Sequence, residues 1–179
     1  MNLTENYLKS ALFEFRRYKS MGDKTFAQLS DEQIRWKFKE TDNSISIIVK
    51  HMVGNMLSRW TNFLTEDGEK TWRNREMEFE GEYSSKDEML QAWEKGWKCL
   101  FEALESINST NFDSKVKIRN EEHTIVEAVN RQLAHYASHV GQIAFVGRMI
   151  KGADWVSLSI PKGGSEDFNK KMFGSSNSA

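Results

Sequence analysis

"TIVEAVNRQLAHYASHVGQIAFVGRMIK", residues 124–151, is predicted to form the longest helix of the chain. Thr124 and Glu127 have the spacing of a capping box, in which two side chains satisfy free backbone N–H groups at a helix start. One face of the predicted helix is apolar, with Val129, Leu133, Tyr136, Val140 and Ala144 at helical spacing. A polar strip of Ala128, Gln132, His135, His139 and Gln142 lies beside it. An apolar face of this length favours a helical bundle.

Further helices are predicted on both sides of the connection at residues 65–84, which is long, polar and irregular. The three other long helices are predicted at residues 2–22, 45–64 and 85–107. The first ends at Gly22, and the third opens with Ser85 and Glu88 as a second capping box. A short helical turn is expected within 30–38 and a short strand at "KVKIR", 115–119. The chain has one proline, Pro161, so little interrupts these helices. We therefore predict an all-α fold, a four-helix bundle with short helical and strand pieces in the connections.

Length and composition predict one globular domain over residues 1–163 and a flexible tail over 164–179. A formal net charge of −1 gives no reason to expect nucleic acid or an anionic membrane as a partner. No signal peptide and no membrane-spanning run is evident. The single cysteine, Cys99, fits a reducing cytoplasm, and its apolar neighbours indicate a small buried residue rather than a nucleophile.

Two of the chain's four histidines, His135 and His139, are four residues apart in the predicted last helix. Positions i and i+4 lie about 40° apart around a helix axis and about 6 Å apart along it. Both imidazoles therefore leave the same face and can bind one ion such as zinc, nickel, copper or iron. The spacing alone is weak evidence, because an ordinary pair of core or surface histidines has the same pattern.

A third ligand is expected at His51, in the middle of the second helix among aliphatic residues. His123 lies before the start of the last helix, too far along its axis to join the pair. The predicted metal ligands are therefore His51, His135 and His139. Asn55 and Arg59 follow His51 by one and two turns on nearly the same face.

These neighbours, together with two glutamines of the last helix, are candidates for supporting roles. Asn55 can hydrogen-bond a ligand imidazole or a substrate. Arg59 can pair with a carboxylate of an anionic thiol, or it is an ordinary exposed or ion-paired arginine. Gln132 and Gln142 face the predicted site, or lie at its rim.

Three motifs resemble the DinB-like (YfiT-like) superfamily, and more narrowly an uncharacterised bacterial branch of it. They are "HMVGNMLSRW" at 51–60, "HYASHVGQIAFVGRMIKG" at 135–152 and "DWVSLSIPKG" at 154–163, and their order matches over residues 1–163. The resemblance implies a bundle of up-down-down-up topology, often dimeric, with one histidine in the second helix and an H-x-x-x-H pair in the last. That pattern coincides with His51, His135 and His139.

The resemblance also implies a class of activity. Characterised members of the superfamily are thought to use the metal to activate a low-molecular-weight thiol, such as bacillithiol, for transfer to an electrophile. Other members are regarded as metal-dependent hydrolases, which act on a hydrolysable small molecule. No residue separates the two readings, and a non-catalytic, stress-associated metal-binding protein is the third. Zinc is the first choice for three imidazoles, with nickel and iron as alternatives.

Overall fold

The computed structural model describes residues 2–174. Its helices are α1 (Leu3–Phe26), α2 (Ile45–Trp60), α3 (Lys86–Glu105), α4 (Ile125–Lys151) and α5 (Ser165–Gly174), and a hairpin of β1 (Lys115–Ile118) and β2 (Glu121–Thr124) precedes α4. Short 3-10 turns occur at Gln33–Arg35, Glu76–Glu78 and Gly152–Asp154. The mostly helical character predicted from the sequence is confirmed, as are the turn within 30–38 and the strand near 115–119.

Helix α1 extends beyond Gly22, where the sequence analysis expected it to end, and continues to Phe26. Gly22 is buried, and a Cβ atom there would lie 2.6 Å from Cζ2 of Trp93 on α3. The glycine therefore allows α1 and α3 to approach closely rather than ending the helix. The prediction for this boundary was wrong because a packing glycine and a terminating glycine look alike in sequence.

The boundaries of the other long helices follow their capping residues. Ser44 accepts the backbone N–H of Ile47 at the start of α2, which ends at Trp60 rather than near residue 64. The Thr124–Glu127 capping box is present at the start of α4. At α3, Ser85 accepts the N–H of Glu88, but the Glu88 carboxylate bonds Ser84 instead of completing a box.

The β1–β2 hairpin turns through Arg119 and Asn120, which both have positive φ, 56° and 64°. Two consecutive residues in this region give the type I′ turn, which matches the twist of a hairpin. The carboxylate of Asp67 accepts both turn N–H groups, at 2.8 Å from Arg119 and 2.7 Å from Asn120. The connection between α2 and α3 thereby fixes the turn in front of α4.

Helices α1, α2, α3 and α4 contribute most of the buried core residues, and the β1–β2 hairpin and the connections contribute others. Helix α2 packs against α3 and α4, and α1 packs against α4 and α3. Large buried side chains fill the space between them, including Phe15, Trp60, Trp93, Trp97 and Tyr136. These contacts bring the middle of α2 beside the middle of α4, which is the arrangement that the histidines need. The up-down-down-up order of a DinB-like bundle stays a prediction.

A further helix follows α4 in the last part of the chain. Residues 165–174 form α5, which contributes no buried residue, and the predicted flexibility of 164–179 stays a prediction. Its last five residues, 175–179, lie outside the described part of the chain. Within residues 2–174, no helix has the length and apolar character needed to cross a membrane.

Candidate metal centre

The three predicted histidines lie together. The Nε2 atom of His135 is 3.4 Å from Nε2 of His51 and 3.0 Å from Nε2 of His139. One ligand atom of each ring lies within 4.8 Å of those of the other two, so this cluster could hold a metal ion. Helix α4 supplies two rings from one face, and the α2–α4 packing supplies the third.

The environment keeps two of these rings in the neutral form that binds metals. Burial, assisted by the positive charge that His139, His51 and two arginines would place nearby, lowers the pKa of His135 to about 3. Burial also lowers the pKa of His139, against a hydrogen bond from its ring to Gln142 that favours protonation. At neutral pH both rings therefore offer a free lone pair to a cation.

Glu78 accepts a hydrogen bond from Nδ1 of His51, the ring nitrogen that is not directed at His135. Its Oε2 lies 2.8 Å from Nδ1 of the ring, so Nδ1 carries the proton and Nε2 is left as the ligand atom. Arg73 donates to both oxygens of the same carboxylate, at 2.7 and 3.0 Å. The ring of Phe79 stacks on His51 with centroids 4.9 Å apart. A carboxylate behind a histidine ligand fixes its tautomer and orientation and raises its basicity.

Glu78 is a buried carboxylate, and Gly54 leaves the space that it occupies. Burial opposes its ionisation, but the hydrogen bonds from His51 and Arg73 outweigh that effect and lower its pKa. Gly54 lies against the carboxylate, and a Cβ atom at that position would overlap it. The glycine in "HMVGNM" therefore makes room on α2 for a carboxylate that comes from the 65–84 connection.

Asn55 belongs to a buried chain of hydrogen bonds. The indole of Trp60 donates to the hydroxyl of Tyr136 at 3.1 Å, and that hydroxyl lies 2.9 Å from Oδ1 of Asn55. An indole N–H can only donate, so the Tyr136 hydroxyl accepts from Trp60 and donates its own hydrogen bond to Oδ1 of Asn55. The Oδ1 atom of Asn55 is thus occupied, and its NH2 group is the one available to the adjacent cavity.

Arg59 and the two glutamines have distinct surroundings. Arg59 is 5% exposed, and it donates to the carbonyl of Gly68 and, at 3.0 Å, to Glu69. Gln132 is buried, and its Oε1 atom has no hydrogen-bond partner within residues 2–174. Gln142 is exposed and contacts His139 Nδ1 at 3.0 Å. The supporting roles predicted for Asn55, Arg59 and Gln132 at the metal site stay predictions.

A cavity of about 220 Å³ opens beside the histidines. It is lined by His51, Asn55, Arg59, Arg73, Arg75, Arg119, Arg131, Gln132 and His135. Most of these lining side chains are polar, and they include five arginines and no carboxylate. Such a lining can orient a polar, negatively charged molecule next to the three imidazoles.

The two remaining candidate groups take no part in the cluster. His123 lies on β2. Cys99 on α3 is half-buried and lies 3.6 Å from the hydroxyl of Thr61, and burial raises the pKa of its thiol. Sequence reasoning missed Glu78 and Arg73, because their only signal was a mixed run of charges within a long connection.

The chain belongs to the family described as "Protein of unknown function (DUF1572)", which matches residues 2–164. The match spans all four helices around the core and every residue of the cluster. A search of the curated proteins and a search of the solved structures found no match.

Proposed function

We propose that this chain is a metal-dependent enzyme of DinB-like type, which transfers a low-molecular-weight thiol such as bacillithiol to an electrophile. His51, His135 and His139 hold one divalent metal, zinc by preference and nickel or iron as alternatives. The observation that carries the proposal is the meeting of three imidazoles with a buried carboxylate on the outer nitrogen of one of them. That combination is typical of histidine metal sites in proteins.

Three neutral imidazoles favour this chemistry because they leave the full charge of the metal uncompensated. A divalent metal held by His51, His135 and His139 would supply an open coordination position at which a thiol is bound as thiolate, a nucleophile at neutral pH. Glu78 and Arg73 keep His51 in one tautomer and one orientation. Asn55 offers its NH2 group, and Arg59 its positive charge, to a polar substrate in the cavity.

A metal-dependent hydrolase is the second candidate, and Gln132 favours it. Its Oε1 atom is a buried acceptor without a partner in the described chain, and leaving such an atom unpaired costs about 1–3 kcal/mol. A bound water can donate a hydrogen bond to Oε1, whereas a thiolate cannot. The two candidates share one site and differ in the nucleophile.

The proposal extends to the architecture. The contacts of α1 with α3 and α4, and of α2 with α3 and α4, support a four-helix bundle. We infer one bundle domain over 1–163 with the up-down-down-up order, and pairing of two chains as a homodimer.

Metal content tests the site directly. Protein without a histidine tag should carry one divalent metal per chain, with nitrogen ligands at about 2.0–2.2 Å by X-ray absorption spectroscopy. His139→Ala should lower the metal affinity more than tenfold, because one of three ligands is lost. His123→Ala is the matched control and should keep wild-type metal content. Equal losses in the two variants would contradict the assignment of ligands.

Activity tests the choice between the two nucleophiles. Transfer of a small thiol to an electrophile should stop on chelation, return with metal, and rise with pH through the lowered pKa of the bound thiol. Full activity in chelated protein would refute the mechanism. Metal-dependent cleavage of an ester or amide, with every thiol inactive, would establish the hydrolase instead. Stoichiometric metal without either activity would indicate a non-catalytic metal-binding protein.

A further inference from the structure

The cavity beside the histidines has an excess of positive charge. Its five guanidinium groups belong to Arg59, Arg73, Arg75, Arg119 and Arg131. One oxygen of Glu69 serves three of them, at 3.0 Å from Arg59, 3.4 Å from Arg73 and 3.2 Å from Arg119. Arg59 also donates to the carbonyl of Gly68 and Arg73 to Glu78, whereas the shared oxygen leaves most of the donors of Arg119 without an acceptor in the described chain.

Arg73 is firmly paired, whereas Arg75 is weakly paired and Arg131 has no ion pair in the described chain. Glu78 pairs with Arg73 and is also engaged by His51. Within the described residues, the ion-pair partner of Arg75 is the exposed Glu76, at 3.3 Å. The Arg75 guanidinium also lies 5.1 Å from the centre of the Phe79 ring. No carboxylate of residues 2–174 lies within ion-pair distance of Arg131 on α4. The five guanidinium groups therefore have three carboxylates as ion-pair partners, and a fourth carboxylate, that of Asp67, lies at the turn of Arg119.

The structure holds Arg119 at this cavity by a constrained backbone. Its φ of 56° is unusual for a residue with a side chain, and the Asp67 carboxylate holds the turn by accepting two N–H groups. Glycine or asparagine would suit this turn position without a guanidinium. A strained residue that is held in place in this way, with its side chain lining a cavity, points to a role in that cavity.

Buried polar atoms along the cavity wall lack partners. Nε of Arg59 and Oε1 of Gln132 are both buried without a hydrogen bond in the described part of the chain. The residues themselves are 5% and 4% exposed. Asn55 also lines the cavity, and its oxygen is taken by Tyr136. One N–H donor and one acceptor among the cavity residues are thus left without a partner in the described chain.

We propose that this cavity binds a doubly negative group of the substrate, a phosphate monoester or a dicarboxylate. A guanidinium group binds phosphate or carboxylate through two parallel hydrogen bonds, and several guanidinium groups together match two negative charges rather than one. A cavity of about 220 Å³ is below the usual size of a whole ligand pocket, so it takes a charged head group while the reacting end lies over the histidines. The link to catalysis rests on the proposed function, whereas binding of the anion does not.

Calorimetric titration of the full chain, before and after removal of metal, tests the inference. Inorganic phosphate and succinate are the probes, with acetate as the singly charged control at matched ionic strength. We expect the metal-free chain to bind phosphate, succinate or both at least tenfold more tightly than acetate. The tighter of the two identifies the kind of dianion.

Two exposed arginines of the rim supply the variants. Arg75→Gln and Arg131→Gln should each weaken binding of the preferred dianion about fivefold, the size expected for one partly exposed charge pair. Arg148→Gln removes the same charge from α4 about 25 Å further along the helix and should leave the affinity unchanged. The proposal is overturned if neither dianion binds more tightly than acetate, or if the two rim variants bind like the wild type.

Failure of this inference is distinguishable from failure of the proposed function. His139 does not line the cavity, so His139→Ala should lose metal and keep the dianion affinity of the metal-free wild type. A chain that binds dianions but no metal would retain the anion site and refute the metal centre. A chain that binds metal but no dianion would retain the metal centre and refute the anion site.

Discussion

Two glycine-to-alanine substitutions in different helices should differ in their effects on stability and zinc affinity, because only one glycine lies against the candidate centre. Gly54 is in α2, and an added Cβ atom would overlap the carboxylate of Glu78. Gly141 is in α4, and its Cβ atom would meet nothing within 4 Å. The chemical change and the helical context are the same in both, so the difference measures the contact with Glu78.

The expected changes in stability follow from the helix propensity of alanine and from the contact with Glu78. Alanine replaces glycine in a helix with a gain of about 0.8–1 kcal/mol, which is the whole effect at Gly141. At Gly54 this gain is opposed, because Glu78 cannot move aside without lengthening its bonds to Arg73 and His51. Overpacking of this kind costs about 1–3 kcal/mol, and disturbing the carboxylate behind a histidine ligand lowers metal affinity about 10–100-fold.

Urea unfolding of the metal-free variants and competitive metal titration measure the two effects separately. Gly141→Ala should be more stable than the wild type with unchanged zinc affinity. Gly54→Ala should gain no stability and should bind zinc at least tenfold more weakly. If Gly54→Ala is stabilised as much as Gly141→Ala and binds zinc normally, then Glu78 does not orient His51 for metal binding.

Three further outcomes are expected. Glu78→Ala should weaken zinc binding about 10–100-fold. It should also destabilise the metal-free chain by about 3 kcal/mol, because Arg73 would stay buried with Glu69 as its remaining ion-pair partner in the described chain. Glu80→Ala, at an exposed position in the same connection, is the control and should change neither quantity. Asp67→Asn should cost about 1 kcal/mol at pH 7, after allowance for solvent screening. Burial opposes ionisation of Asp67, but the backbone N–H groups that it accepts lower its pKa, so its contribution is present above the ordinary value of about 3.9 and disappears as pH falls through the folded-state pKa. The two proteins should therefore converge in stability below about pH 4, and a constant difference from pH 7 to pH 3 would contradict this account. Sedimentation equilibrium at micromolar concentration should give the mass of two chains, and a mass of 20.8 kDa would refute the homodimer.

The sequence by itself determined the long helices and the convergence of the histidines. Apolar residues at helical spacing in α4 recur over 27 residues, and so long a periodic run has one regular solution. Spacing i, i+4 places His135 and His139 on one face whatever the rest of the chain does. The aliphatic neighbours of His51 required that face of α2 to be buried, which directed the ring inward. Helix ends were less certain, as Gly22 and residue 64 show, because packing decides where a helix stops.

Only the tertiary structure decided what surrounds the histidines. Glu78, Arg73 and Arg75 come from an irregular connection, where no period relates sequence position to direction. The connection is placed instead by particular bonds, such as the lysine of α2 donating to the carbonyl of Glu80 and Asp67 holding the β1–β2 turn. The arginines of the cavity lie on four separate segments of the chain, from residue 59 to residue 131. Each is an ordinary charged residue in sequence, and their common surface exists only because long-range packing brings those segments together.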